Sequence, residues 1–131
     1  MKYAAVIVLC LLSTTSWSMT NPQINSCQHA GGEFVAVELA DGSDQVGLCK
    51  FGNAYVGALD VLYYKNKESN PTSFQEYKNG NTSCSGDVID AQILQGDSLQ
   101  LCRYGDSSVI EMNTLQSGSG SNPGLDRFLG L

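Results

Sequence analysis

The sequence has little positive charge. Its 131 residues include 7 lysines and arginines against 13 aspartates and glutamates, a formal net charge of −6. The basic residues are scattered, so we expect no basic patch that could neutralise the phosphates of a nucleic acid or adsorb to an anionic lipid surface. The acidic balance favours solubility and, for any partner, a cationic one.

Histidine is almost absent as well. A Ser-His-Asp or Cys-His device would have to use His29, the single histidine of the chain. That residue lies in the last turn of a predicted helix, where a cation complements the helix dipole. Asp41 and Asp44 bracket a Gly-Ser turn but offer too few oxygen ligands for a calcium loop. We therefore expect no catalytic residue, no cofactor and no bound metal.

Long apolar runs are missing after the N-terminus. Residues 3–12 form an apolar run of ten behind Lys2, and the small residues Ser16 and Ser18 precede Met19. Such a run is too short for a bilayer, which needs about 20 residues, and the pattern is typical of a cleavable signal peptide covering residues 1–18. The alternative is an uncleaved anchor or a buried segment. We expect a periplasmic or secreted protein with a single domain, residues 19–131, and no membrane span after signal removal.

One pattern occurs twice in the chain. Residues 48–56 read LCKFGNAYV and residues 101–109 read LCRYGDSSV, 53 positions later. Each block follows a Ser-Cys pair and precedes an Asn-Pro pair. The pattern indicates two copies of one unit, at about 21–69 and 70–116, followed by a short C-terminal helix at 123–129.

The cysteines indicate disulfides. Loss of the signal removes Cys10 and leaves Cys27, Cys49, Cys84 and Cys102, and an even number in a small exported chain favours a disulfide framework. Three connectivities are possible. If each copy carries its own bridge, the pairs are Cys27 with Cys49 and Cys84 with Cys102. A zinc site is the alternative, but its cysteines are usually separated by about two to four residues.

The periodicity of apolar residues alternates between helix and strand. Asn-Pro pairs and following glycines predict helices at 22–30, 71–79 and 123–129. Alternating apolar residues predict strands at 33–40, 45–51 and 54–64 in the first copy and at 87–95, 98–104 and 107–115 in the second. Each copy is then a helix plus a three-stranded antiparallel meander. Because a lone meander cannot bury its apolar face, we expect both to join in one small, disulfide-stapled α+β domain.

The segments NPQINSCQHAGGEF and GLCKFGNA resemble a small domain of unknown function in exported bacterial proteins labelled haemolysins. The residues that carry the likeness are Asn21, Pro22, Cys27, Gly31, Gly32, Gly47, Cys49, Phe51 and Gly52. The likeness covers residues 21–64, whereas the second copy lacks the Gly-Gly pair after Cys84. The resemblance implies export, a helix-plus-meander fold and structural cysteines, and it implies no activity.

These features favour an exported, non-catalytic binding or accessory module whose ligand the sequence does not name, with a protein as a candidate partner. The alternative is an inhibitor of a secreted or periplasmic hydrolase, either a protease or a cell-wall lytic enzyme, because rigid loops lower the cost of binding. An enzyme is the third hypothesis. The predicted binding loops contain Gly52, Asn53 and Tyr55 in the first copy and Gly105 and Asp106 in the second.

Overall fold

The computed structural model describes residues 21–94 and 96–131, so the predicted signal peptide lies outside the described residues. Within these ranges the chain forms five α-helices and six β-strands. In chain order they are α1 (Pro22–His29), β1 (Glu33–Leu39), β2 (Gln45–Phe51), β3 (Ala54–Gly57), α2 (Ala58–Lys65), α3 (Thr72–Lys78), β4 (Asp87–Ile93), β5 (Ser98–Arg103), β6 (Val109–Glu111), α4 (Met112–Ser117) and α5 (Pro123–Leu129).

The Asn-Pro pairs begin helices as predicted. The Asn21 side chain accepts a hydrogen bond from the Gln23 amide at 2.8 Å, and Pro22 is the first residue of α1. α5 has its predicted bounds and ends at Gly130 in the left-handed conformation, with φ 79°. α3 begins at Thr72 because Pro71 takes the N-cap position. Within the described residues, no helix is long and apolar enough to cross a membrane.

The prediction of long third strands was wrong. β3 ends at Gly57 and β6 ends at Glu111, and a helix follows each strand directly. Capping explains the second change, because the Glu111 side chain accepts hydrogen bonds from the Asn113 and Thr114 amides of α4. At the start of α2 no side chain caps the helix, and the Asp60 carboxyl in its first turn accepts from the Val109 amide of β6. Both carboxyls accept hydrogen bonds from backbone amides only when a helix follows the strand directly, and this outweighs the strand propensity of the β-branched and aromatic residues that follow Gly57.

The prediction of two three-stranded meander units within the domain was also wrong. All strands join in one closed barrel with the order β1-β2-β3-β6-β5-β4, antiparallel at every pair. Two three-stranded sheets packed face to face would leave four strand edges unpaired, and unpaired edges invite association with other chains. Joining β3 to β6 and β1 to β4 removes those edges, and helices cover part of the outer surface.

The two joints of the barrel have a common register. Val56 faces Ile110 across the β3–β6 joint, and Glu38 faces Gln92 across the β1–β4 joint. In both pairs the second residue comes 54 positions after the first. The pair at the centre of each joint thus has the same sequence separation, one position more than the 53 that separate the two sequence blocks.

The barrel wall separates two apolar clusters. The inner cluster contains alternate strand residues, namely Val37, Leu39, Leu48, Ala91, Leu101 and Val109 with their half-buried neighbours. The outer cluster lies between the wall and the helices and includes Cys27, Cys49, Phe51, Val56, Val61, Phe74, Tyr77, Cys102, Ile110, Leu115, Leu125 and Leu129. Because successive strand residues point to opposite faces, five of the six described strands contribute to both clusters, whereas β4 contributes to the inner one alone.

Both expected disulfides are confirmed. Cys27 is bonded to Cys49 and joins α1 to β2, while Cys84 is bonded to Cys102 and joins the segment before β4 to β5. Gly32 permits the first bridge because a β-carbon at this position would come within 2.5 Å of Cys49 Sγ. Each bridge therefore attaches a segment outside the barrel wall to the second strand of its own half, β2 or β5.

Tyr77 forms a buried polar link between α3 and α5. Its hydroxyl donates to Asp126 Oδ1 at 2.6 Å and accepts from the Asn122 amide at 3.2 Å, while the Gly120 amide donates to Asp126 Oδ2 at 2.9 Å. Burial and the neighbouring Asp126 raise the pKa of Tyr77, so the hydroxyl keeps its proton as a donor. This network fixes the C-terminal helix against the outer cluster.

We expect loss of the Cys84–Cys102 bridge, by changing both residues to serine, to lower the free energy of unfolding by about 2–5 kcal/mol. The bridge closes a segment of 18 positions that is otherwise free in the unfolded chain. Urea unfolding measures the change, with the matched Cys27→Ser, Cys49→Ser variant alongside. A variant as stable as the wild type would contradict a structural role for the bridge.

We expect Tyr77→Phe to lower the free energy of unfolding by about 1–3 kcal/mol, because the buried Asp126 and the half-buried Asn122 side chains each lose a hydrogen-bond partner. Tyr63→Phe is the matched control, since the Tyr63 side chain is exposed and lies outside this network. Thermal and urea unfolding of both variants provide the measurement. Equal effects of the two changes would show that the network contributes nothing specific.

Candidate functional site

Two cavities open on the surface of the barrel. One lies beside α2, which follows β3, and the other lies beside α4, which follows β6. The larger, about 790 Å³, includes Glu111, Met112 and Asn113 at the start of α4, and we call it the Glu111 groove. The smaller, about 520 Å³, includes Gly57, Leu59 and Asp60 at the start of α2, and we call it the Asp60 cleft. The first residues of β2 and the β5–β6 turn complete the walls of the Asp60 cleft.

Asp60 is the buried ionisable residue of the Asp60 cleft. Its side chain is 8% exposed, and its Oδ2 accepts a hydrogen bond from the Val109 amide of β6 at 3.0 Å. Gly57 makes this reach possible because a β-carbon there would overlap Asp60 Oδ2 and lie 3.0 Å from a Val109 methyl. Glycine at the end of β3 thus serves close approach, since its φ of −60° is open to any residue.

The environment of Asp60 opposes its ionisation. Burial raises the pKa of this carboxyl to about 7, with a smaller contribution from the negative charge of Asp106, while the Val109 amide acts in the opposite direction. The side chain therefore exchanges its proton near neutral pH. A carboxyl with this property at the wall of a cavity can respond to the charge of whatever enters.

Asp106, a predicted binding residue, organises the β5–β6 turn. Its Oδ2 accepts from the Thr72 amide at 2.8 Å, and its Oδ1 accepts from the Ser108 hydroxyl at 2.6 Å and the Ser108 amide at 3.1 Å. Partial burial acts to raise the pKa of Asp106, but the Ser108 and Thr72 hydrogen bonds outweigh it and lower the pKa to about 2. Asp106 lines the Asp60 cleft as a fixed anion whose oxygens hold the turn to α3.

The mouth of the Asp60 cleft carries apolar side chains. Leu59 and Tyr63, 42% and 38% exposed, are neighbours one turn apart on α2 and are among the large apolar residues that face solvent. Arg103, at the end of β5, also lines the cleft. The cleft thus combines carboxyls, a guanidinium and an exposed apolar surface, a mixture that suits a ligand with polar and apolar parts.

The buried carboxyl of the Glu111 groove differs from Asp60 because both of its oxygens are engaged in capping a helix. Glu111 Oε1 accepts from the Thr114 amide and hydroxyl at 3.1 and 2.7 Å, and Oε2 accepts from the Asn113 amide at 2.9 Å. These bonds cap α4, so both oxygens already serve the fold. Gly57 and Glu111 are the N-cap residues of α2 and α4 and stand 54 positions apart, but only Glu111 provides a capping side chain.

The predicted binding loops lie apart. Gly52 and Asn53 form the exposed turn between β2 and β3, whereas Gly105 and Asp106 belong to the turn between β5 and β6. Because β3 and β6 are antiparallel neighbours, the two turns lie at opposite ends of that pair. Tyr55 is half-buried beside the inner cluster, with Lys50 Nζ 5.6 Å from its ring centroid. Only Asp106 of the five lines the Asp60 cleft, and the predictions missed Asp60 and Gly57.

A local signal could have identified Asp60. Gly57 and Asp60 stand three residues apart, the spacing of an N-cap and an acidic third helical residue, and the segment after them contains good helix formers. A helix beginning at this point would place an acidic residue beside a strand end. His29, weighed above as a catalytic candidate, is exposed at the end of α1 and lines neither cavity.

Comparison with known proteins identifies no relative. No family model, curated protein or solved structure matches the chain. In the part of the chain that the structure describes, no group of three or more His, Cys, Asp or Glu side chains is placed to hold a metal ion. The chemistry of the Asp60 cleft is therefore the starting point for function.

We expect the free energy of unfolding to fall by on the order of 4 kcal/mol between pH 4 and pH 7 through Asp60, at about 1.36 kcal/mol for each unit of pKa shift. The folded protein keeps this proton to about pH 7, whereas the unfolded chain loses it near 3.8. The contribution is thus complete below the unfolded pKa and is lost as the pH rises.

Asp60→Asn isolates this effect, because asparagine retains an oxygen for the Val109 amide and cannot ionise. The difference in stability between wild type and variant, from urea unfolding across this pH range, should change with pH. Other carboxyls, Asp106 included, contribute equally to both proteins. A constant difference would rule out a buried, titrating Asp60.

Proposed function

We propose that the protein is an exported, non-catalytic binding module and that the Asp60 cleft is its ligand site. The observation that carries the proposal is the juxtaposition, in one cavity of about 520 Å³, of a buried carboxyl with the exposed Leu59 and Tyr63 side chains. Concave sites of mixed polarity with a perturbed ionisable group are the usual form of small ligand sites.

Export is supported by the cysteines. Disulfides persist in oxidising compartments and are rare in the cytosol, and both Cys27–Cys49 and Cys84–Cys102 are formed. The predicted signal peptide at residues 1–18 agrees with this location. We accordingly assign the mature protein to the periplasm or to the extracellular medium.

The hydrogen-bond partners of the cleft carboxyls favour a binding function over a catalytic one. The oxygens of Asp106 accept three hydrogen bonds from Thr72 and Ser108, so this residue is committed to turn structure. Acid-base catalysis by two carboxyls needs both in reach of a substrate. The inhibitor alternative stays a prediction, and it would have to use one turn at a time because the Gly52 and Gly105 turns lie at opposite ends of the β3–β6 pair.

We also propose that the two halves derive from one duplicated unit. The displacement of 54 positions at both barrel joints supports this, together with the equivalent disulfides. In a closed barrel made of two equivalent halves, each half offers the same cavity position. Divergence of the first copy would then turn its cavity into the ligand site, while the second copy keeps Glu111 as a helix cap.

A fragment screen tests the location of the site. Binding of small, chemically diverse fragments to isotope-labelled protein, followed by amide chemical shifts, should perturb residues 57–63 and 106–109. The variant Leu59→Ala, Tyr63→Ala should lose these responses because it removes the apolar mouth.

Val88→Ala is the matched control, since Val88 is an exposed apolar residue that lines neither cavity. It should bind fragments as the wild type does. Hits that map to the Glu111 groove, or a screen without perturbation at the Asp60 cleft, would overturn the proposal.

A further inference from the structure

We infer that the Asp60 cleft binds a lysine or arginine side chain, with the cationic group on the Asp60 carboxylate and the aliphatic stem along Leu59 and Tyr63. The inference rests on the proposed function, because it names the ligand class of the same cleft. It is argued from a difference between the two halves, from the shape of the mouth and from the balance of charge.

The first observation is a pair of equivalent hydrogen bonds made by different chemical groups. The Val109 amide donates to Asp60 Oδ2, and the Tyr55 amide donates to Thr114 Oγ1, each at 3.0 Å. Val109 follows Tyr55 by 54 positions, and Thr114 follows Asp60 by 54 positions. One end of the β3–β6 joint thus uses a neutral hydroxyl for the task that a carboxyl performs at the other.

The structural task therefore does not require a charge. Burying a carboxyl costs free energy unless it is paired or protonated, and a hydroxyl satisfies the same amide without that cost. The carboxyl at position 60 lines an open cavity, whereas the capping carboxyl of Glu111 has both oxygens engaged by α4. A cationic ligand would offset the free-energy cost of burying a carboxylate at position 60.

The second observation is the form of the mouth. Leu59 and Tyr63 leave apolar surface exposed beside the buried carboxyl. Lysine and arginine carry a cation at the end of a linear aliphatic stem and pack that stem on apolar surface. An arginine can also stack on a tyrosine ring.

The charges that face Asp60 leave the cleft acidic. Its charged and titratable lining groups are Asp44 before β2, Asp60 and Tyr63 on α2, Arg103 on β5 and Asp106 in the turn. Arg103 also acts on Asp41, whose pKa is lowered chiefly by Ser43 and further by this guanidinium. Asp106 is engaged by the turn, and the exposed Asp44 accepts from the Gln45 amide at 2.8 Å. We assign the cationic group to Asp60 because this carboxyl lies on α2 together with Leu59 and Tyr63.

Binding of a cation should be linked to proton release from Asp60. The protonated carboxyl is favoured in the free cleft near neutral pH, whereas the carboxylate is favoured beside a cation. The affinity for a cationic ligand should consequently rise with pH over the range in which Asp60 titrates. A neutral ligand of the same shape should show no such dependence.

The test uses the full exported chain and two probes, N-acetyl-arginine amide and its neutral analogue N-acetyl-citrulline amide. Chemical shift titrations at pH 5.5, 7.0 and 8.5 measure both affinities. We expect the arginine probe to perturb residues 57–63 and to bind roughly tenfold more tightly at pH 8.5 than at pH 5.5. Asp60→Asn should abolish the pH dependence, while Asp90→Asn, a control in the Glu111 groove, should retain it.

Calorimetry in buffers of different ionisation enthalpy gives a second measurement on the unaltered protein, with release of a fraction of a proton as the expected result. Equal binding of the citrulline probe in the cleft would overturn the cationic assignment while leaving the proposed binding site in place. An arginine affinity independent of pH, or unchanged in Asp60→Asn, would also overturn the inference. Failure of both probes to perturb the cleft would overturn the inference, and the fragment screen then decides the site itself.

Discussion

Two side-chain hydrogen bonds connect the halves of the barrel at the β3–β6 joint, where strand pairing is shortest. The Tyr55 amide of one half donates to Thr114 of the other, and the Val109 amide donates in return to Asp60. The direct pairing of these strands is short, with Val56 opposite Ile110. Side chains from the helices that follow therefore supply partners for amides that a longer strand pair would have satisfied.

The positions of α2 and α4 follow from this arrangement. Each helix must begin directly after its strand, since its first turn has to reach back across the joint. The helices then lie on the outer cluster, where both disulfides attach flanking chain to the barrel wall. Gly57 permits the reach on one side by having no side chain, and Glu111 caps the helix on the other.

Local features of the fold could be predicted from the sequence, whereas its closure could not. Asn21, Gly130 and the four bonded cysteines act through near neighbours or through a visible repeat, so their roles are readable. The segments after Gly57 and Glu111 combine aromatic or β-branched residues with weak capping signals, and alternation favoured a strand. Barrel closure depends on pairing between residues 54 positions apart. The spacing of Gly57 and Asp60 could have predicted a helix start, but the contact between the Asp60 carboxyl and the Val109 amide depends on barrel closure and could not be predicted.

The central claim is that the reciprocal hydrogen bonds of the Tyr55 and Val109 amides are part of the global fold and do not open locally. Native-state hydrogen exchange of these two amides, measured across sub-denaturing urea concentrations, tests it most directly. The account predicts that both amides exchange only through global unfolding, with equal free energies and the full urea dependence. Exchange of either amide through a local, urea-independent opening would contradict it.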